Sequence, residues 1–156
     1  MSLPPNPQAA QKYLQTKVLT ATPEQLQMML FDGALRFCEQ ARAALQRKSY
    51  EESYALIGKV QKILLEMTTA LKHNVAPELC KKLAALYTFA YKRLVAANMQ
   101  HDGKALEEAI EVLRYQRETW SLLMQQLSQQ KAGAVARQVD FPAPSSRMEA
   151  TLSMQG

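Results

Sequence analysis

The chain has 156 residues, 19 Lys and Arg against 14 Asp and Glu, a net charge of +5 and a hydrophobic share of 47%. That length suits one domain with its own apolar core, so metal or disulfide staples are not needed. Two Cys exclude a disulfide framework, and no apolar run is long enough to span a bilayer.

The polar, proline-rich start "MSLPPNPQAAQ" lacks the basic-then-apolar layout of a secretory signal. A soluble, cytoplasmic protein without membrane insertion is expected. Ala, Leu, Gln, Glu, Lys and Met dominate, which favours helix. Eight Met is a high count, and Met is the adaptable side chain of cores and of permissive binding surfaces. Basic residues are spread along the chain in short pairs such as Lys81–Lys82 and Lys92–Arg93. They read as solvated helix surface, and no nucleic acid is expected as a partner.

Residues 1–21 form an N-terminal arm that is polar at first and then carries Tyr13, Leu14, Val18 and Leu19. The first predicted helix follows. Thr22 can cap it, Pro23 suits its first position, and Gln25 stands where a capping box needs it. Leu26, Met29, Leu30, Gly33, Phe37, Ala41 and Ala44 give it an inner stripe at spacings of three and four.

The second predicted helix starts at Ser49, with Glu52 completing a further capping box. Its stripe is Tyr54, Ile57, Val60, Leu64, Met67 and Leu71. Gly58 weakens it by roughly 1 kcal/mol relative to Ala, and a close helix–helix approach is one reason for a Gly there. "HNVAP" breaks the pattern. Pro77 then restarts a helix with the stripe Leu79, Leu83, Leu86, Ala90, Leu94 and Ala97. After "HDG", Asp102 caps the fourth, with Leu106, Ile110, Leu113, the stem of Arg117, Trp120, Met124 and Leu127 inward. On this pattern Trp120 is a core anchor.

Four helices of similar length on short turns imply antiparallel neighbours. The expected fold is all-α: an up-down-up-down four-helix bundle over 22–128, after the arm of 1–21. Residues 129–156 lose periodicity and gain Ala, Ser, Pro and Gly, which predicts a disordered, flexible tail.

Catalytic and metal chemistry find no foothold. A di-metal bundle site needs two Glu-x-x-His pairs, but His73 and His101 have Ala70 and Asn98 at the required offset. Two Cys and two His at unmatched spacings do not make a zinc site. Gly-rich phosphate loops and nucleophile elbows are missing from the sequence. Cys38 and Cys80 sit in apolar stretches as buried thiols, and Asp32 in "MLFDGAL" reads as a capping or pairing residue. No enzyme activity and no cofactor are expected.

What remains is surplus apolar surface. A core-facing helix needs one stripe. The first predicted helix has a second, Met28, Phe31, Leu35 and Cys38. The third is widened by Cys80, Tyr87, Tyr91 and Val95. A groove of this kind, covered by a detachable arm laid across it, suits a helical or extended partner segment.

Three ordered blocks carry a resemblance. The spacing Y-x4-V-x-T-x-[ST]-P-x-x-L-x-x-M-L-[YF]-D-G-A is filled by Tyr13, Val18, Thr20, Thr22, Pro23, Leu26, Met29, Leu30, Phe31, Asp32, Gly33 and Ala34. "LCKKLAALYTFAYKRLVAAN" and "VLRYQRETW" supply the second and third blocks. Together they resemble the flagellar secretion chaperone FliS family over about residues 13–127.

The resemblance implies a bundle that binds the disordered C-terminal segment of flagellin in the cytoplasm. It further implies prevention of premature polymerisation and delivery to the flagellar type III secretion apparatus. The export gate and a flagellar regulatory protein are further partners in this reading. An adaptor that sequesters another flagellar protein is the alternative. Residues expected to contact the client are Tyr13, Val18 and Leu19 on the arm and Met28, Phe31 and Leu35 on the first predicted helix. Tyr87 and Tyr91 on the third join them, with Asp32 and Asn98 as polar contacts.

Overall fold

Three of the five described helices start on a side-chain cap, at Asn6, Thr22 and Asp102. In a computed structural model, which describes residues 6–140, the order is α1 (Pro7–Thr20), α2 (Pro23–Gln46), α3 (Tyr50–Thr69), α4 (Pro77–Gln100) and α5 (Gly103–Asp140). The first residues of the expected arm and residues 141–156 of the expected tail lie outside the described residues. No described helix is long and apolar enough to cross a membrane.

The capping box of α2 is complete. Gln25 N donates to Thr22 Oγ1 at 3.1 Å, and Thr22 N donates to Gln25 Oε1 at 3.0 Å. Asp102 caps α5 by accepting from the backbone of Lys104 at 3.0 Å and of Ala105 at 3.2 Å. Pro77 opens α4 as expected. At α3 the expected box does not form. Ser49 occupies the cap position, but its hydroxyl donates to the Glu52 carboxylate at 3.2 Å, and that carboxylate also receives Arg47 at 2.7 Å. The nearby cation diverts Glu52 from the backbone.

Two tight connections end on left-handed residues, Lys48 at φ 61 and His101 at φ 52. In both, the next amide reaches back six residues inclusive: Ser49 N to Ala44 O at 2.8 Å and Asp102 N to Ala97 O at 3.2 Å. This closes the exposed carbonyls of α2 and α4. His101 also stacks on Tyr50, with centroids 3.8 Å apart, so the end of α4 sits beside the start of α3.

The chain parts into two compact units between Glu118 and Thr119. In the first, α2 packs on α3 and α3 on α4. The buried set is Phe31, Ala34, Cys38, Ala41 and Ala44 on α2, then Ile57, Val60, Leu64 and Met67 on α3. Cys80, Tyr87, Ala90, Leu94 and Ala97 continue it on α4, with Leu106, Ala109, Ile110 and Leu113 on α5. Small residues on α2 let it approach its neighbour closely. Ion pairs set the register of α2 against α5: Asp32 with Arg117 at 2.6 Å, Glu39 with Arg114 at 3.2 Å and Arg42 with Glu107 at 2.9 Å. Ascending numbers on one helix meet descending numbers on the other, as antiparallel neighbours require. Arg93 joins α4 to α5 through Glu108 at 2.9 Å. The Nε atoms of Arg42 and Arg93 are buried without a well-aligned hydrogen bond, and their charge is balanced by these carboxylates.

Several expectations need correction. The inner stripe of α2 is the one through Phe31, Ala34, Cys38 and Ala41, whereas Leu26, Met29, Leu30, Gly33 and Phe37 are only half-buried. Phe31, expected on the outer stripe, is 2% exposed. Within the expected arm, Pro7–Thr20 form a helix. Asn6 caps it, accepting from Gln8 N at 3.0 Å, and Pro7 opens it. No α1 side chain is buried, so the arm does not cover a groove here. A Cβ on Gly58 would meet no atom within 4 Å, so close packing is not what that glycine serves.

In the second unit α5 runs on unbroken through the expected tail boundary at 128 to Asp140. Ala, Gln, Lys and Arg hold the helix there, and one Gly does not break it. Trp120 is half-buried rather than a full core anchor, while Leu122, Leu123, Leu127 and Val135 are exposed.

Candidate interaction surface

The surface that stands out lies between α3 and α4. A cleft of about 410 Å³ is lined by Leu64, Leu65 and Thr68 of α3 and by Tyr87, Thr88, Tyr91, Lys92 and Val95 of α4. Its α3 wall arises because Leu64 faces the core while Leu65, one residue on, faces out. Its α4 wall repeats at three, four and seven residues, one helical face. Tyr87 forms the floor, 3% exposed, and burial pushes its phenol up to about 12. It is therefore neutral at physiological pH. The cleft offers apolar and aromatic contact, with the hydroxyls of Thr68, Thr88 and Tyr91 among its lining side chains.

The site residues expected from sequence divide by accessibility. Tyr91, Asn98, Met28 and Leu35 are half-buried. Of these, Tyr91 lines the cleft beside Tyr87. Phe31 and Tyr87 belong to the core, and of the two only Tyr87 lines the cleft. Asp32 is exposed but held by Arg117, so it serves the α2–α5 seam. Tyr13 at 70% and Leu19 at 85% are exposed on α1, as is Val18.

Cys38 is fully buried, and its thiol is pushed up to about 12 by burial and then by Glu39, so it is an inert packing group. Among the described residues no group of three or more His, Cys, Asp or Glu could hold a metal ion.

Sequence reading missed several features of this side of the molecule. Leu79, Leu86 and Phe89 are exposed on α4, although the first two were assigned inward. The charge is also less scattered than the short basic pairs imply. Lys59, Lys62, Lys72, Lys81, Lys82, Lys92 and Arg93 face only Glu66 and Glu78 in the stretch 59–95, seven against two. The rest of the chain then holds twelve basic and twelve acidic residues, so this stretch carries the whole net charge of +5. A running charge count would have found it.

Comparison with known proteins agrees with the fold. The family described as "Flagellar protein FliS" matches residues 6–138. The chain is 33% identical to the flagellar secretion chaperone FliS of Bacillus subtilis (strain 168), covering 83% of this chain and 94% of that protein. It is 33% identical to the flagellar secretion chaperone FliSB of Pseudomonas aeruginosa (strain PAO1), covering 72% and 90%. It is 31% identical to FliS of Escherichia coli (strain K12), covering 77% and 90%. A solved structure of a bacterial flagellar chaperone superposes with a TM-score of 0.63 at 17% identity, over 78% of this chain and 99% of that one, which speaks for the fold. A bundle with this helix order, an open apolar cleft and a family match across most of its length belongs to the FliS family of flagellar secretion chaperones.

Proposed function

We propose that this chain is a cytoplasmic export chaperone for flagellin. It binds flagellin's disordered C-terminal segment, prevents premature polymerisation and aids delivery to the flagellar type III secretion apparatus. The observation that carries this reading is the open apolar cleft between α3 and α4 on a helical bundle with a buried apolar core. A disordered segment has no core of its own, and its apolar side chains gain from burial in such a groove.

Tyr91, with Tyr87 beneath it, forms the main contact. Met28 and Leu35 extend it along α2, and Asn98 adds a polar contact. Tyr13, Val18 and Leu19 of the exposed α1 close on the bound segment. Asp32 and Phe31 act through the scaffold. The flagellar export gate and a flagellar regulatory protein are further partners in this reading.

Co-expression with flagellin from the same cell tests it. A soluble complex, purified over size exclusion with one flagellin per chaperone, supports the reading. Flagellin that elutes alone and polymerises at its usual rate in the presence of the protein would refute it.

A further inference from the structure

Arginines carry the ion pairs that join the helices: Arg42, Arg47, Arg93, Arg114 and Arg117 all meet a carboxylate. The lysines of the cleft face do not. Lys92 lines the cleft, and Lys81 lies three turns before it on the same face of α4. Lys72 follows the last turn of α3, four residues beyond Thr68 of the cleft wall. All three are exposed and form no ion pair. Glu78, three residues before Lys81, leaves that lysine unpaired. The fold thus uses its arginines to hold helices together and leaves an apolar cleft edged by ammonium groups.

We propose that the α3–α4 cleft takes an acidic amphipathic segment of a partner protein. Its apolar side chains enter between Leu65, Tyr91 and Val95, and its Asp or Glu side chains meet Lys72, Lys81 and Lys92. The inference rests on the cleft being the client surface, and it adds the chemistry of what the cleft selects. Apolar contact supplies adhesion, and the charge edge supplies selection and register. A basic or neutral segment with the same apolar spacing gains the first without the second. A peptide fits better than a nucleic acid strand because Leu64, Leu65 and Val95 line the cleft and Tyr87, its floor, is buried, so it offers few free rings for bases to stack on.

The test uses the full chain and three synthetic 20-residue helical peptides with the same Leu positions. Their flanking positions carry Glu, Gln or Lys. Calorimetry at low salt is expected to show the Glu peptide binding about tenfold tighter than the Gln peptide, the size expected of several exposed charge pairs acting together. The gap should close in high salt, where the Debye length falls to about 3 Å. The variant with Lys72→Glu, Lys81→Glu and Lys92→Glu should keep its melting temperature and prefer the Lys peptide. Equal affinity for the Glu and Gln peptides, binding of none of them, or tighter binding of a 20-nucleotide poly-dT strand that competes with the Glu peptide would each overturn the proposal. Flagellin binding is measured on the same samples. If the triple variant binds flagellin as the parent does while the peptides show no charge preference, the charge-selection proposal fails and the chaperone reading stands. If neither protein binds flagellin, the chaperone reading itself fails.

Discussion

The α2–α5 seam and the α3–α4 face solve opposite problems with the same helical material. On the seam, Asp32, Glu39 and Arg42 of α2 meet Arg117, Arg114 and Glu107 of α5, and the apolar stripe beneath them is fully buried. The α3–α4 face carries seven basic residues against two acids over 59–95 and keeps a cleft of about 410 Å³ open. Charge on the seam fixes register between helices of one chain. On the open face Lys72, Lys81 and Lys92 form no ion pair. The two surfaces thus differ in how their charges are matched as well as in how apolar they are.

The comparison breaks most sharply in the core. Leu113→Ala, at a fully buried position next to the seam, should destabilise the fold by about 2–5 kcal/mol in urea unfolding, since a cavity adds to the lost transfer energy. Leu65→Ala on the open face should cost well under that, because Leu65 is already exposed. Equal losses at the two sites would mean the cleft is structural.

The seam itself should yield a smaller effect. Arg42→Ala removes contacts to both Glu39 and Glu107 and should cost about 1 kcal/mol, less in high salt. Lys92→Ala, which breaks no ion pair, should leave stability unchanged. Thermal melts of both variants at two salt concentrations check the contrast.

Glycine at position 58 sharpens it from another side. With open space where a Cβ would stand, Gly58→Ala should raise stability by about 0.5–1 kcal/mol without disturbing packing. A loss instead would show that a neighbour occupies that space in solution.

A further contrast appears only at alkaline pH. The Tyr87 phenol is raised from 10.0 to about 12 by burial. The folded state therefore holds that proton more tightly than the unfolded chain. Its contribution is intact below pH 10 and is lost as pH rises towards 12. Wild type and Tyr87→Phe should differ by a constant margin up to about pH 9. Above pH 10 wild type should lose stability faster, measured as urea midpoints. Parallel curves would place Tyr87 in contact with water.

Much of the scaffold was legible because its signals are local. Thr22 with Gln25, Pro77 and Asp102 mark helix starts by their own hydrogen-bonding chemistry and need no tertiary information. The rotation of α2 was not legible. Apolar residues cover so much of its circumference that Met29 and Phe31 are equal candidates for the core. The choice is made by the small residues Ala34 and Ala41 and by the acids that meet α5. Ser49 failed for a similar reason, since Arg47 claims Glu52. The helicity of residues 7–20 was hidden by the prolines before them, although Asn6 and Pro7 form an ordinary cap. The cleft was half visible. Tyr87 and Tyr91 were named, but its α3 wall depends on a pairing of helices that sequence spacing does not give.

The central claim is that the α3–α4 cleft holds the C-terminal segment of flagellin. Isothermal titration of the full chain with intact flagellin, and with flagellin lacking that segment, tests it most directly. It should be run at several temperatures and repeated with Val95→Asp, which puts a charge in the cleft wall. The account predicts tight binding of intact flagellin with a negative heat-capacity change. It also predicts a loss of at least about a hundredfold on truncation or on Val95→Asp, the scale of a binding hot spot. Undiminished binding of truncated flagellin, or of intact flagellin to a folded Val95→Asp variant, would contradict it.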